Sequence, residues 1–271
     1  MTSLIAWVGA DTHGPASLNI ASDSRITWSI KKPISHQWDE AKKVFSSVKE
    51  PVIIGYVGDV LFPALVLPGL IERIDRGFFQ SGESLAEGVI AALRRGWRDY
   101  PHEERRETNI YIGSRIGEKM SAEFKLHKIS NMAPAVNDWR TEEIKVPRHS
   151  SCLVIDGSGK EIIKKNLVAW QSSSAGGTSR AIFCGFVDSI VSRIDPASGG
   201  APQLASLYRI GVGRPMGIIH DKQRFFAGTR LIGKEKLDGV EWRNDLFERV
   251  DGDKKKLMSK AQPQPRPSMQ M

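Results

Sequence analysis

The chain has 271 residues, 40% hydrophobic and 26% charged, the balance of an ordinary soluble protein able to bury a core in one large domain or two small ones. Its net charge is +8, but half of it lies in residues 253–271, where Lys254, Lys255, Lys256, Lys260 and Arg266 face the single acid Asp253. The body is therefore only mildly basic, which argues against a nucleic-acid surface. Cys152 and Cys184 are the 2 cysteines, far apart and without metal or disulfide spacing, and no apolar run reaches the length of a membrane span. With no positively charged region before the apolar run at Leu4, the chain reads as cytoplasmic, without membrane or nucleic-acid partners.

In chain order, SLIAWVGAD and ASLNIASDSR read as two strands around the Gly14-Pro15 breaker, and KKPISHQWDE as a polar, irregular connection. KVFSSV and PVIIGYVGD follow as two short strands. LFPALVLPGLIERIDRG then changes to helical spacing, with Leu61, Leu65, Leu67, Leu70, Ile71 and Ile74 as its apolar set. SLAEGVIAALRRGWRDY is an amphipathic helix, with Ser84 and Glu87 read as a capping box. TNIYIGSRIGEKMSAEFKLHKIS returns to two strands. Residues 131–150 read as irregular apart from EEIKV, and SCLVIDGSG as a strand entering a glycine turn. KEIIKKNLVAWQSS and TSRAIFCGFVDSIVSRI are two consecutive helices. QLASLYRIGV, MGIIHD and QRFFAG close the chain as strands. The division expected is one domain over residues 1–250 and a basic, Pro/Gln-rich disordered tail over 251–271. Strands, two helices, strands, two helices, strands is an α+β order, satisfied by two mainly antiparallel sheets packed face to face with a helix pair outside each.

The chemistry begins at Thr2. An amino-terminal threonine carries nucleophile and base on one residue, because a free α-amine titrates near ~7.7–8.0 and can take the hydroxyl proton. A small residue after Met1 favours removal of that methionine, which would free the Thr2 amine. Such a site needs a cation to keep the amine neutral, an acid to hold the cation, and backbone N–H groups for an oxyanion. Asp23 ends the second strand, where antiparallel pairing returns it to the chain start; Lys43 begins the next strand; Gly58 ends the one after, just before a helix. A one-residue slip would put Lys42 in place of Lys43, so both remain open at this point. In the second half, IDGSG places Ser158 directly before the second helix pair, and DPASGG places Asp195 and Ser198 directly after it.

Thr2, Asp23 and Arg25 in SDSR, Lys43 before Val44, Gly58 in VGD, Ser158 in GSG, and Asp195 and Ser198 in DPASGG together resemble the proteasome β-subunit family of N-terminal nucleophile hydrolases, over about residues 2–235. The resemblance implies a four-layer αββα sandwich in which Thr2 is the nucleophile, the Asp23–Lys43 pair tunes it, and the Gly58 N–H stabilises the oxyanion. It also implies that Ser158, Asp195 and Ser198 orient the terminal amine and hydroxyl. It places Ser24, Thr27, Tyr56 and Val57 in a substrate pocket that a neighbouring subunit completes. The implied activity is a threonine-type endopeptidase acting on peptides or unfolded proteins, in a homo-oligomeric ring, with an ATP-dependent unfoldase as a further partner and no metal or organic cofactor. Two departures stand out: the first hairpin, with ADTHGPA, and the segment from Arg25 to Lys43 are both long. Two other functions fit the same residues, an amidohydrolase acting on a small amide and a catalytically silent structural subunit.

Overall fold

The structure is a computed structural model, and it describes residues 2–29, 35–79, 84–101, 105–131, 138–233, 235–263 and 266. It is α+β and almost wholly antiparallel. Strands β1 (Ser3–Asp11) and β2 (Gly14–Ser22) form the first hairpin, and β3 (Ile26–Ser29) pairs with β4 (Ser35–Trp38). Strand β4 corrects the reading of residues 31–40 as irregular. Its Trp38 lies opposite Ile26 across a ladder that local sequence does not reveal.

Next come β5 (Val44–Ser46), β6 (Val52–Gly58), helices α1 (Leu61–Asp75) and α2 (Ser84–Arg98), β7 (Thr108–Ile116), β8 (Glu123–Asn131) and β9 (Arg140–Ile144). Asp59 accepts from the Leu61 and Phe62 N–H groups at 3.3 and 3.0 Å, satisfying two of the donors that open α1. The apolar face of α1 is narrower than its leucine count implies, since Phe62, Leu67, Leu70 and Ile74 are buried while Leu61 and Leu65 are exposed. The capping box at Ser84 falls on a side chain outside the described residues.

The second half runs β10 (Ser151–Gly157), α3 (Lys160–Gln171), α4 (Ser179–Val191), β11 (Gln203–Tyr208), β12 (Arg214–His220) and β13 (Gln223–Phe226). Three short strands follow that the sequence did not mark: β14 (Thr229–Arg230), β15 (Trp242–Asn244) and β16 (Arg249–Val250). β15 pairs parallel to β12, a long-range contact with no signature in WRN itself. The expected disordered tail falls in part on residues 264, 265 and 267–271, outside the described residues. Within the described part, Val250 bridges Leu257, Lys255 Nζ donates to the Lys222 carbonyl, and Arg266 pairs with Asp188.

One sheet has the order β10-β1-β2-β11-β12-β13-β14, with β15 and β16 attached beside β12; a second has the order β5-β6-β7-β8-β9. Strand β1 lies between β2 and β10, which explains its unbroken apolar run. Leu4 and Ala6 pack toward Val44, Ile53, Val57 and Tyr111 of the second sheet. Ile5 and Trp7 face the other way, onto Ile163 and Leu167 of α3 and Phe183 and Phe186 of α4. A third cluster seats α1 and α2 on the far face of the second sheet, through Phe62, Leu67, Val89 and Trp97 against Ile54, Tyr56 and Ile110. The register of β1 puts Thr2 at the open end of the first hairpin, beside both Asp23 and the Gly157 turn.

Candidate active site

Thr2 is buried, and its hydroxyl has no hydrogen-bond partner among the described residues. The next peptide unit is fixed on both sides. Ser3 N–H donates to Asp23 Oδ1 at 2.9 Å, and the Ser3 carbonyl accepts from Asp23 N–H at 3.1 Å. Asp23 is fully buried, and four donors reach its carboxylate: Ser3 N–H and Lys43 Nζ on Oδ1, both at 2.9 Å, and Gly199 and Arg25 N–H on Oδ2 at 3.0 and 3.2 Å. That set fills the acceptor capacity of an ionised carboxylate. Lys43 is also fully buried and donates a second bond to the Arg25 carbonyl at 2.5 Å. Burial pushes the Lys43 ammonium below the ordinary lysine range, with Asp23 opposing the shift.

Gln203 on β11 locks this pair from behind. Its Oε1 accepts Lys43 N–H at 3.0 Å, and its Nε2 donates to the Asp23 carbonyl at 3.1 Å and the Ala41 carbonyl at 2.7 Å. One buried amide thereby sets the backbone positions of acid and cation together. Arg25 is held outside them by a two-pronged bond to Asp39, at 2.7 and 2.8 Å.

The GSG turn closes the other side. Gly157 has φ +99, and a Cβ there would stand 1.7 Å from the Thr2 carbonyl oxygen, so only glycine lets the turn approach this closely. Ser158 N–H then donates to that carbonyl at 3.1 Å. Ser158 and Ser198 hydroxyls both donate to Asp195 Oδ2, at 2.7 and 2.6 Å. Ser198 also meets the Ser3 hydroxyl at 2.6 Å, and Ser3 Oγ accepts Gly159 N–H at 3.1 Å. Burial raises the Asp195 carboxyl, but the hydrogen bonds from Ser158, Ser198 and the Ala197 N–H outweigh it and hold the group below its ordinary value.

Six expected residues, Thr2, Asp23, Lys43, Ser158, Asp195 and Ser198, thus converge on the start of β1. Of the two lysines, Lys43 points inward to Asp23, while Lys42 is exposed and lies over the Phe45 ring. Gly58 sits at the end of β6 opposite Thr108, with φ +95 and the Glu107 carbonyl 2.3 Å from where a Cβ would be. Of the pocket residues, Ser24 is buried and donates to the Asp39 carbonyl, Tyr56 is buried in the α1–α2 cluster, and Val57 is buried between the sheets. Thr27 alone of the four keeps exposed surface. Two residues of the network were not anticipated, Ser3 and Gln203. Ser3 carried no signal, since strand alternation does not foretell a hydroxyl that meets Ser198 and the Gly159 N–H. Gln203 had none, because its partners lie at Asp23 and Lys43.

No family model matches the chain, and no curated protein matches it by sequence. Among solved structures it is similar to the helical assembly of the Anbu complex from Pseudomonas aeruginosa, at 15% identity over 86% of this chain and 88% of that one, with a TM-score of 0.51. Weaker likenesses are to Anbu (ancestral beta-subunit) from Yersinia bercovieri, at 13% identity, 76% and 80% coverage and TM-score 0.48, and to eukaryotic HslV from Trypanosoma brucei, at 14%, 76% and 99%, and 0.47. At such identities the likeness is one of fold, and the fold is proteasome-like, as the motifs implied. No helix of the described residues is long and apolar enough to cross a membrane.

Proposed function

We propose that the chain is a threonine-type peptidase of the N-terminal nucleophile class, with the four-layer αββα sandwich of that class. One observation carries the reading: Thr2 is buried with a hydroxyl that has no partner among the described residues, and the backbone around it is held by the fully buried Asp23–Lys43 pair through the Ser3 N–H and by the Ser158 turn through the Thr2 carbonyl. A buried hydroxyl left without a partner is costly to a fold and suits a group kept for chemistry.

Cutting the peptide bond before Thr2 frees its amine. The Thr2 Oγ attacks the scissile carbonyl carbon while the amine accepts the hydroxyl proton, forming a tetrahedral intermediate. Lys43 keeps that amine neutral by like-charge repulsion, and Asp23 holds Lys43 in place. The Gly58 N–H takes the oxyanion. Collapse returns the proton from the amine to the departing amine of the substrate and leaves an ester on Thr2, which water then hydrolyses by the same route in reverse. Ser158, Ser198 and Asp195 orient the amine. The substrate pocket narrows to the strand carrying Thr27 and to surface supplied by a neighbouring copy, because Ser24, Tyr56 and Val57 are buried. Homo-oligomerisation follows the assembled relative from Pseudomonas aeruginosa; a closed ring, an unfoldase partner and a cytoplasmic location extend the same reading.

A peptide epoxyketone tests the proposal, because its adduct requires both the hydroxyl and the free amine of one residue. Intact mass and peptide mapping should place a single adduct on Thr2 in the processed chain and none in Thr2→Ala. Processed wild-type protein that stays unlabelled and cleaves no fluorogenic peptide would overturn the assignment.

A further inference from the structure

Directly before the GSG turn stands Asp156, an acid on the face of β10 that its ladder partner Leu4 shares, toward the layer between the two sheets. Strand β10 pairs Asp156 with Leu4 of β1, so the acid is one residue pair away from the start of that strand. Its Oδ2 accepts the Tyr111 hydroxyl at 2.6 Å and Asn109 Nδ2 at 2.9 Å, both from β7 of the opposite sheet. Its Oδ1 accepts Gly157 N–H at 2.7 Å. The same Gly157 presses on the Thr2 carbonyl, and the following Ser158 N–H binds it. On β7, Asn109 lies opposite Val57 and Thr108 opposite Gly58. One carboxylate therefore ties the strand that borders Gly58 to the turn that clasps Thr2. Asn109 Oδ1 is buried with no partner among the described residues, and the amide is held through its Nδ2 bond to the acid.

We propose that Asp156 is a positioning residue: with Tyr111 and Asn109 it fixes the distance between the Gly58 edge and the Thr2 nucleophile by locking the Gly157–Ser158 turn to the opposite sheet. The inference rests on the peptidase reading for its consequence in rate, but the positioning itself is measurable without any chemistry at Thr2. A misplacement of about 1 Å between nucleophile and oxyanion donor costs on the order of 100-fold in rate, while binding of the substrate's remote parts is little affected. Support of this kind, from groups that never touch the substrate, is what keeps a reacting group within its working tolerance.

The test uses the full, processed chain in four forms: wild type, Asp156→Ala, Asp156→Asn and Tyr111→Phe. Hydrogen exchange is expected to show at least tenfold faster exchange at amides 3–4 and 157–159 in Asp156→Ala, with the β11 and β12 amides unchanged. The epoxyketone inactivation rate at saturation is expected to fall at least tenfold in Asp156→Ala with its half-saturating concentration changed less than about threefold. Asp156→Asn, which keeps an acceptor for Gly157, should recover most of that rate, and Tyr111→Phe should lie between. A folded Asp156→Ala with wild-type exchange at those amides overturns the proposal, as does a wild-type inactivation rate in that variant. If wild-type protein itself is not labelled, the peptidase reading fails, and the exchange measurement alone decides on Asp156. If Asp156→Ala does not fold, Tyr111→Phe takes its place, with the same two readouts and the same overturning results.

Discussion

Replacing Lys43 by methionine keeps the aliphatic stem and removes the charge from a pair in which neither side chain reaches solvent. Breaking a buried ion pair by deleting one member typically costs about 3–5 kcal/mol, because the survivor is left charged in a poor dielectric. Here the survivor retains three N–H donors, from Ser3, Gly199 and Arg25, so the low end applies, about 3 kcal/mol. For a chain of this size that is roughly a 6–12 °C fall in Tm. The double variant Asp23→Asn, Lys43→Met removes both charges and should be more stable than the single variant, since no uncompensated charge remains. Urea unfolding followed by tryptophan fluorescence, at fixed protein concentration, gives all the corners of the cycle. The slope must stay constant for the midpoints to be compared. A single variant within about 1 kcal/mol of wild type, or a double variant no better than the single, would refute the claim that the pair is a sealed unit. The pH dependence adds a check. The Lys43 pKa is lower folded than unfolded, so its proton opposes folding below the depressed value. Wild-type stability should therefore gain from Lys43 as pH rises from that depressed value toward 10.5, a gain Lys43→Met lacks.

Thr2→Ala removes a hydroxyl with no partner among the described residues, so it should change unfolding free energy by less than about 1 kcal/mol while abolishing epoxyketone labelling; a large destabilisation would mean the hydroxyl is structural. Gly157→Ala and Gly159→Ala should differ sharply. The first drives a Cβ into the Thr2 backbone and should cost more than about 3 kcal/mol by thermal unfolding. The second meets the rotatable Ser3 hydroxyl, 2.3 Å from the new Cβ, and should cost less. The Asp195 carboxyl is held low, so its stabilisation is full above the ordinary carboxylate range and is lost as pH falls through its depressed pKa. Asp195→Asn should flatten the acid limb of the stability profile, and an unchanged limb would contradict the hydrogen-bond assignment. Burial pushes the Cys152 thiol up to about 12, and Cys184 is more deeply buried and raised as well. Native protein should therefore resist iodoacetamide at pH 8 over hours, and rapid alkylation would show that the β10–α4 region opens.

The first hairpin and the α3–α4 pair were legible because local signals agreed with the fold: Gly14-Pro15 directly after the Thr12-His13 turn, and apolar spacing that suits one buried face. Strands β4 and β15 were not, since SHQW and WRN owe their extended form to partners at Ile26–Ser29 and Gly217–Ile219. The candidate site was legible wherever a residue type announces chemistry, as with Thr2, Asp23 and the GSG and SGG turns. It failed for Gln203, an amide whose four hydrogen bonds exist only after two distant segments meet. Tyr56, read as a pocket residue, has its ring in the cluster with the α1–α2 helices, a placement set by strand parity.

Because β1 is flanked by β2 on one side and β10 on the other, its place in the sheet stays vacant until about residue 157 has left the ribosome. Before then, the leading segment has only its hairpin partner, and its front end is open to any trimming enzyme. Afterwards Thr2 is 1% exposed. An enzyme that acts on the amino end therefore meets an accessible segment before β10 docks and a buried one afterwards.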